Sequence, residues 1–127
     1  LVTFPNIAGD NSVTLPANRS PFSVAINNTY SATAGSNSTY AFSGAAITGA
    51  ASLGKTGTGV VTFNQSNTYS GATTIGGGLI LVSADAAFGS ASGGTTLATG
   101  SSLGLVGGVA YTTAEPLLIN GNGYDTT

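Results

Sequence analysis

Nine runs of alternating residues, three to five long and separated by clusters of Gly, Asn and Ser, restrict what this chain can fold into more than anything else in it. They cover residues 12–15, 22–26, 39–42, 60–63, 73–75, 79–82, 95–97, 102–105 and 116–119, and most are rich in Val, Ile, Leu, Thr and aromatic residues. Alternation with a period of two sends every second side chain to one face, the pattern of a half-buried strand. No window repeats apolar residues at helical spacing between capping residues, and each glycine would destabilise a helix by about 1 kcal/mol relative to Ala. The expected fold class is all-β. Strands this short, joined by small-residue corners, fit a solenoid better than a sandwich, whose strands usually run to about five or six residues. In a solenoid each coil stacks on the last, backbone groups pair with the coils above and below, and Gly and Asn turn the corners.

Such a fold needs few ions, and few are present. Charged residues make up 5% of the 127 residues, against roughly 25% in an ordinary soluble protein, so Ser, Thr, Asn and Gly must cover the surface. Arg19, Lys55, Asp10, Asp85, Glu115 and Asp125 form no run or patch, and no nucleic-acid partner is expected. The 20 glycines do not signal disorder, because 41% of the chain is hydrophobic and β-branched residues abound. Without Cys, regular hydrogen bonding and burial must hold the chain together. The opening Leu1-Val2-Thr3-Phe4-Pro5 lacks the features of a signal peptide, and nothing approaches the ~20 apolar residues of a membrane helix, so no membrane insertion by this segment is expected. Residues 121–127 stop in mid-pattern. The chain reads as one domain, 1–127, that is a fragment of a longer protein.

The stretch from Leu53 to Val82 contains Lys55-Thr56-Gly57-Thr58-Gly59, then Val60-Val61-Thr62-Phe63, Asn67-Thr68-Tyr69-Ser70-Gly71-Ala72-Thr73-Thr74-Ile75 and Gly78-Leu79-Ile80-Leu81-Val82. In this order it resembles the autotransporter-associated β-strand repeat, with its Lys-x-Gly-x-Gly start, apolar strand, Asn-Thr-Tyr-x-Gly-x-Thr-x-Ile run and second strand. Residues 83–119 look like the family's continuation, with Ala86-Ala87-Phe88-Gly89 where a Leu-Gly turn is common. Residues 1–50 match more loosely, as further coils or a cap, beside the repeat-like coils of 51–127. The resemblance implies a right-handed parallel β-helix in a large exported bacterial surface protein, without shared catalytic residues.

Several motifs invite other chemistry. Gly49-Ala50-Ala51-Ser52-Leu53-Gly54-Lys55-Thr56 satisfies the phosphate-loop pattern, but such a loop needs a helix starting at its Lys-Thr to aim amides at phosphate. The following Gly57-Thr58-Gly59-Val60-Val61-Thr62 is Gly-broken and β-forming, so no nucleotide is expected and Lys55 reads as a solvated corner lysine. With no His and no Cys, no hydrolase triad can be assembled. Carboxylates could serve a carbohydrate-cleaving β-helix if two of Asp85, Glu115 and Asp125 met on one edge; otherwise they are solvated turn residues. Gly121-Asn122-Gly123-Tyr124-Asp125 is a broken, single copy of a calcium-coil pattern, and no metal is assigned. Asn18, Asn27, Asn37 and Asn64 head Asn-x-Ser/Thr triplets, read as composition. Tyr40 and Tyr69 are expected as packed strand residues.

Alternation places Val61, Phe63, Ile75, Ile80 and Val82 inward, and Val60, Leu79 and Leu81 outward as an exposed apolar stripe suited to lateral contact. The expected role is structural or adhesive: a non-enzymatic, cofactor-free segment at the cell surface or outside the cell. Its partners would be neighbouring coils or chains of the same protein, with self-association into filaments through open ends, or a surface receptor or glycan. The alternative is a carbohydrate-binding or carbohydrate-cleaving β-helix.

Overall fold

The computed structural model describes residues 1–30 and 38–120. Eleven strands follow one another: β1 (Val2–Phe4), β2 (Gly9–Leu15), β3 (Ser23–Asn27), β4 (Ser38–Gly44), β5 (Ser52–Thr56), β6 (Val60–Phe63), β7 (Thr73–Ile75), β8 (Gly78–Val82), β9 (Thr95–Leu97), β10 (Ser101–Leu105) and β11 (Leu117–Ile119). Among the described residues there is no helix. The nine alternating runs fall on β2 to β4 and β6 to β11; β1 and β5 are additional.

The odd-numbered strands form a six-stranded sheet and the even-numbered strands a five-stranded one. Every pairing is parallel and joins a strand to the one two places later in sequence, as β5 to β7 and β6 to β8. The chain therefore crosses from sheet to sheet and back, and β1 to β4 share both sheets with the later strands. Parallel register turns the alternation of single strands into ladders of like side chains. In one sheet Phe4, Ile26, Lys55, Ile75, Leu97 and Ile119 stand in one row, and Val2, Val24, Leu53, Thr73, Thr95 and Leu117 in the next. Facing them are the rows Asn11, Tyr40, Val61, Ile80, Leu103 and Val13, Phe42, Phe63, Val82, Leu105. These rows make the core: Val61, Phe63, Ile75, Ile80 and Val82 all point inward with 0% exposure. Phe4, Phe42, Phe63, Phe88 and Tyr111 link their rings end to end along it, at centroid separations of 4.9, 5.1, 6.5 and 6.2 Å.

The link from β6 to β7 is extended as well. Gln65, Asn67 and Tyr69 are buried while Ser66, Thr68 and Ser70 are exposed, so the alternation continues without a sheet. Tyr69, expected on a strand, lies in this link, fully buried, with its hydroxyl 2.7 Å from Thr73 Oγ1. Asn67 bridges neighbouring layers: its Oδ1 accepts from Ile47 N at 2.9 Å and from Gln65 Nε2 at 3.0 Å, and its Nδ2 donates to Ala87 O at 2.6 Å. A buried amide with both ends engaged adds to the backbone bonds that join the same layers, from Asn67 N to Ala86 O at 3.0 Å and from Thr68 N to Ile47 O at 2.9 Å.

Corners are tight enough to demand glycine. Gly57 has φ +79°, and a Cβ there would come 2.2 Å from Asn28 O. Ala86, in the expected Ala-Ala-Phe-Gly turn, has φ +53° without being glycine. That conformation disfavours an L-residue by about 1–2 kcal/mol.

Two stability predictions follow from this geometry. Phe63→Ala should destabilise the fold by about 3–5 kcal/mol in chemical denaturation, whereas the outward Thr62→Ala should change it by less than about 0.5 kcal/mol. Ala86→Gly should relieve the left-handed turn, less the added freedom of the unfolded chain, and raise stability by roughly 0.5 kcal/mol.

Candidate functional site

The phosphate-loop pattern does not form a loop. Its second half lies on β5, where Leu53 and Lys55 face inward and Ser52 and Thr56 face out. Lys55 is not the solvated corner residue expected; it is fully buried, between Ile26 and Ile75 in an otherwise apolar row. Its methylene stem fills the core as a leucine would, and the ammonium reaches the adjoining corner, donating to Gly57 O at 3.0 Å and Gly77 O at 2.9 Å. The neighbouring Gly78, at φ +73°, leaves room for it: a Cβ there would stand 2.8 Å from Nζ. Burial alone lowers the Lys55 pKa from 10.5 to about 8. An amine enclosed by carbonyl oxygens presents nothing to a phosphate.

The carboxylates are not plain solvated turn residues either. Asp85, on the β8–β9 link, is half-exposed and ties down the β10–β11 link. Its Oδ1 accepts from Thr112 N at 2.9 Å, Thr113 N at 3.1 Å and Thr113 Oγ1 at 3.0 Å, while Thr112 Oγ1 donates to Oδ2. These bonds, that from the Thr112 hydroxyl foremost, hold its carboxyl well below the usual range. Glu115 sits on the same link, half-buried, accepting from Thr95 Oγ1 and, at 3.1 Å, from Tyr111 OH. Its pKa is raised, chiefly by burial. The structure thus brings Asp85 and Glu115 to one link and pushes their pKa values apart, a mark of acid–base pairs. The geometry argues otherwise, because Glu115 lines a cavity of about 120 Å³ with Phe88, Leu103 and Tyr111, and Asp85 is not in its wall. Asp10 accepts from Thr39 Oγ1 at 2.6 Å on the opposite sheet. Asp125, the calcium-like pattern 121–125 and Asn37 lie outside the described residues. Among the described residues no three His, Cys, Asp or Glu side chains gather as a metal set.

Val60, Leu79 and Leu81 point outward on the five-stranded sheet, as their phase requires, but they are half-buried and do not make an open stripe. Register explains the difference. Val60 pairs with Leu79, so the two cover each other, and Leu81 lies between Thr62 and Gly104. Its Cδ2 would stand 2.6 Å from a Cβ on Gly104, so the leucine folds over that glycine.

The open apolar surface lies largely at the two ends of the stack. At one end Leu1, Val2 and Ile7 are exposed, and at the other Leu105, Leu117, Leu118 and Ile119. Beside β1 a cavity of about 440 Å³ opens between the sheets, with Arg19 in its wall. Sequence reading treats Arg19 only as an isolated charge; its place at a cavity depends on packing between distant segments and leaves no local signal.

Lys55 gives stability a pH dependence with a definite sign. Its folded pKa of about 8 lies below the ordinary lysine value of 10.5, so between these values the unfolded chain binds more protons and stability rises with pH. Tyr40, Tyr69 and Tyr111, all raised above 10.0 by burial, act in the opposite sense from about pH 10 upward. Thermal unfolding should therefore show a midpoint that climbs from pH 7.5 to 9.5 and then turns down, and Lys55→Met should remove the climb.

Comparison with known protein families, with characterised proteins and with solved structures found no match.

Proposed function

We propose that this chain is a structural or adhesive stretch of right-handed parallel β-helix belonging to an exported bacterial protein at the cell surface or outside the cell, and that it is not an enzyme. The observation that carries the reading is the pairing of every strand, in parallel, with the strand two places later, across residues 2–119. A chain built this way extends along one axis by adding coils, which suits a spacer or a scaffold for contacts. The motif order of residues 53–82, which resembles the autotransporter-associated repeat, is in keeping with the same reading. So does the chemistry of the polar groups, since Lys55, Asp85 and Glu115 are each engaged in holding a corner or link.

The partners of such a segment are further coils or copies of the same protein, or a surface receptor. Lateral contact falls to the Val60, Leu79 and Leu81 face, where few charges oppose the approach of another flat β surface. The cavity beside Glu115, at about 120 Å³, is below the roughly 300 Å³ at which small-molecule sites usually begin. This weighs against a sugar-cleaving role.

Electron microscopy of the purified chain tests end-to-end assembly: filaments are expected, and isolated particles alone would reject it, since six layers about 4.8 Å apart stack to only about 25 Å and a single copy is no longer than it is wide. A glycan array on the same material tests the alternative, since specific saturable retention of one sugar would replace the scaffold reading with a carbohydrate-binding one. For the lateral face, a Leu79→Ser, Leu81→Ser double variant should keep its β circular dichroism and lose self-association in sedimentation velocity. If variant and parent sediment alike, that face has no contact role.

A further inference from the structure

The pairing of β5 with β7 is not the one that apolar matching alone would select. Alternation fixes which face a residue takes but not which inward residue it meets, because a shift of two positions keeps both faces intact. In the observed register Leu53 stands beside Thr73 and Lys55 beside Ile75, so each apolar side chain meets a polar one. Moving β7 back along β5 by two positions would set Ile75 against Leu53 and bring Gly77 level with Lys55. β7 is only 3 residues long and runs into Gly76, Gly77 and Gly78, so neither length nor bulk opposes the shift. On its other side β7 matches Thr73 with Thr95 and Ile75 with Leu97, so β7 and β9 specify each other and the step from β5 to β7 is the one left to be fixed. The Tyr69–Thr73 hydroxyl bond joins residues of one stretch of chain and can travel with the shift.

We infer that Lys55 is a register lock, a buried side chain that admits one alignment of the next layer, at a cost in stability. Its ammonium is met by Gly57 O of its own corner at 3.0 Å and by Gly77 O of the following layer at 2.9 Å. The second bond discriminates, because it spans the layers. Gly78 makes the fit exclusive: its φ is +73°, and a Cβ there would stand 2.8 Å from Nζ, 2.7 Å from Gly57 O and 2.5 Å from Gly59 O. A shift carried through the corner would bring Ile80 to this place, and a shift absorbed within the corner would move Gly77 O away from Nζ. Either one strands the ammonium. A buried charge that loses its acceptor is far costlier than a mismatched hydroxyl, and a single polar or ionic group at an inward position is best known for this kind of selection. An aliphatic residue at the same place would pack at least as well and would leave the choice of alignment open.

The chain has no Cys, so pairs of introduced outward cysteines report the alignment directly. Gly54 and Thr74 are register partners on the outer face, and a Cβ at Gly54 meets nothing within 4 Å. Gly54→Cys with Thr74→Cys should therefore form a disulfide under mild oxidant. Ser52 and Thr74 are exposed as well, but in the observed register their Cα atoms lie about 8 Å apart on the diagonal, too far to bridge unless β7 shifts. With Lys55 in place, Ser52→Cys with Thr74→Cys should stay reduced. With Lys55→Met it should close, the bridged fraction rising about tenfold, while circular dichroism and the denaturation midpoint show a variant as stable as the parent or more so. Lys55→Leu should behave as Lys55→Met does. A purely stabilising lysine would move the midpoint and not the pattern of bridges. Bridging of the Ser52 pair with Lys55 present, or its failure to bridge in both aliphatic variants, would overturn the lock. So would a lower midpoint or loss of fold in both variants, which would make the lysine a net stabiliser, and so would absence of the Gly54 disulfide with Lys55 present, which would deny the register itself.

Discussion

Parallel pairing between strands two apart in sequence is the constraint on which the rest of this molecule depends. It satisfies backbone donors and acceptors without side chains, so the chain tolerates a surface of Ser, Thr, Asn and Gly with few ions. It also makes the inward set of side chains additive: a residue meets the equivalent residue of the next layer, and rows such as Val61–Ile80 and Phe42–Phe63–Val82 follow without further specification. A slip of one residue in β8 would send Leu79 and Leu81 into the core and expel Ile80 and Val82. In the register observed, Ile80 and Val82 meet Val61 and Phe63 inside, whereas the outer rows run through Thr39, Val60, Leu79 and Ser102 and through Thr62, Leu81 and Gly104, and offer no aromatic partner.

Rows built by repetition are less tolerant of a polar residue than an irregular core, because the same space recurs in each layer. Several of those that occur here are matched by a hydrogen bond that leaves the row, whereas the buried Ser38 hydroxyl makes none. Thr73 meets the Tyr69 hydroxyl, Thr95 donates to Glu115, Asn67 joins its neighbours through Ile47, Gln65 and Ala87, and Lys55 reaches the Gly57 and Gly77 carbonyls. Lys55 is the costliest, since an ammonium leaves water without a carboxylate partner, and its lowered pKa expresses that. What it supplies is a cap for carbonyl groups at a corner whose backbone is bent through Gly57 and Gly78, where few amides are free to do so.

Where alternation involved large apolar residues, the sequence was readable: β6 and β8, their inward residues and the corner glycines were all expected, and so was the absence of a helix after the phosphate-loop pattern. β5 was hidden because its inward residues are Leu53 and Lys55, separated by Gly54, and a lysine counts as polar in any pattern although its stem packs as an aliphatic chain. β1 was hidden because three residues before a proline make too short a pattern to stand alone. The half-burial of Val60, Leu79 and Leu81 depends on which residues are register partners, and period alone does not say whether Gly104 or a larger residue lies beside Leu81. The cavity at Arg19 was least legible of all, since its wall draws on β1, β2, β3, β4 and the links between them.

The two ends of the stack are chemically unlike, and this limits how the molecule can associate. One end offers a concave apolar chamber with a cation; the other offers the exposed Leu117, Leu118 and Ile119 of β11 and a small cavity holding the half-buried Glu115. Parallel strands give each free edge a direction, so like ends do not present matched patterns to one another, whereas unlike ends do. Were two copies to meet through these edges, the contact would be head-to-tail and open, a geometry that continues into a filament unless something closes it.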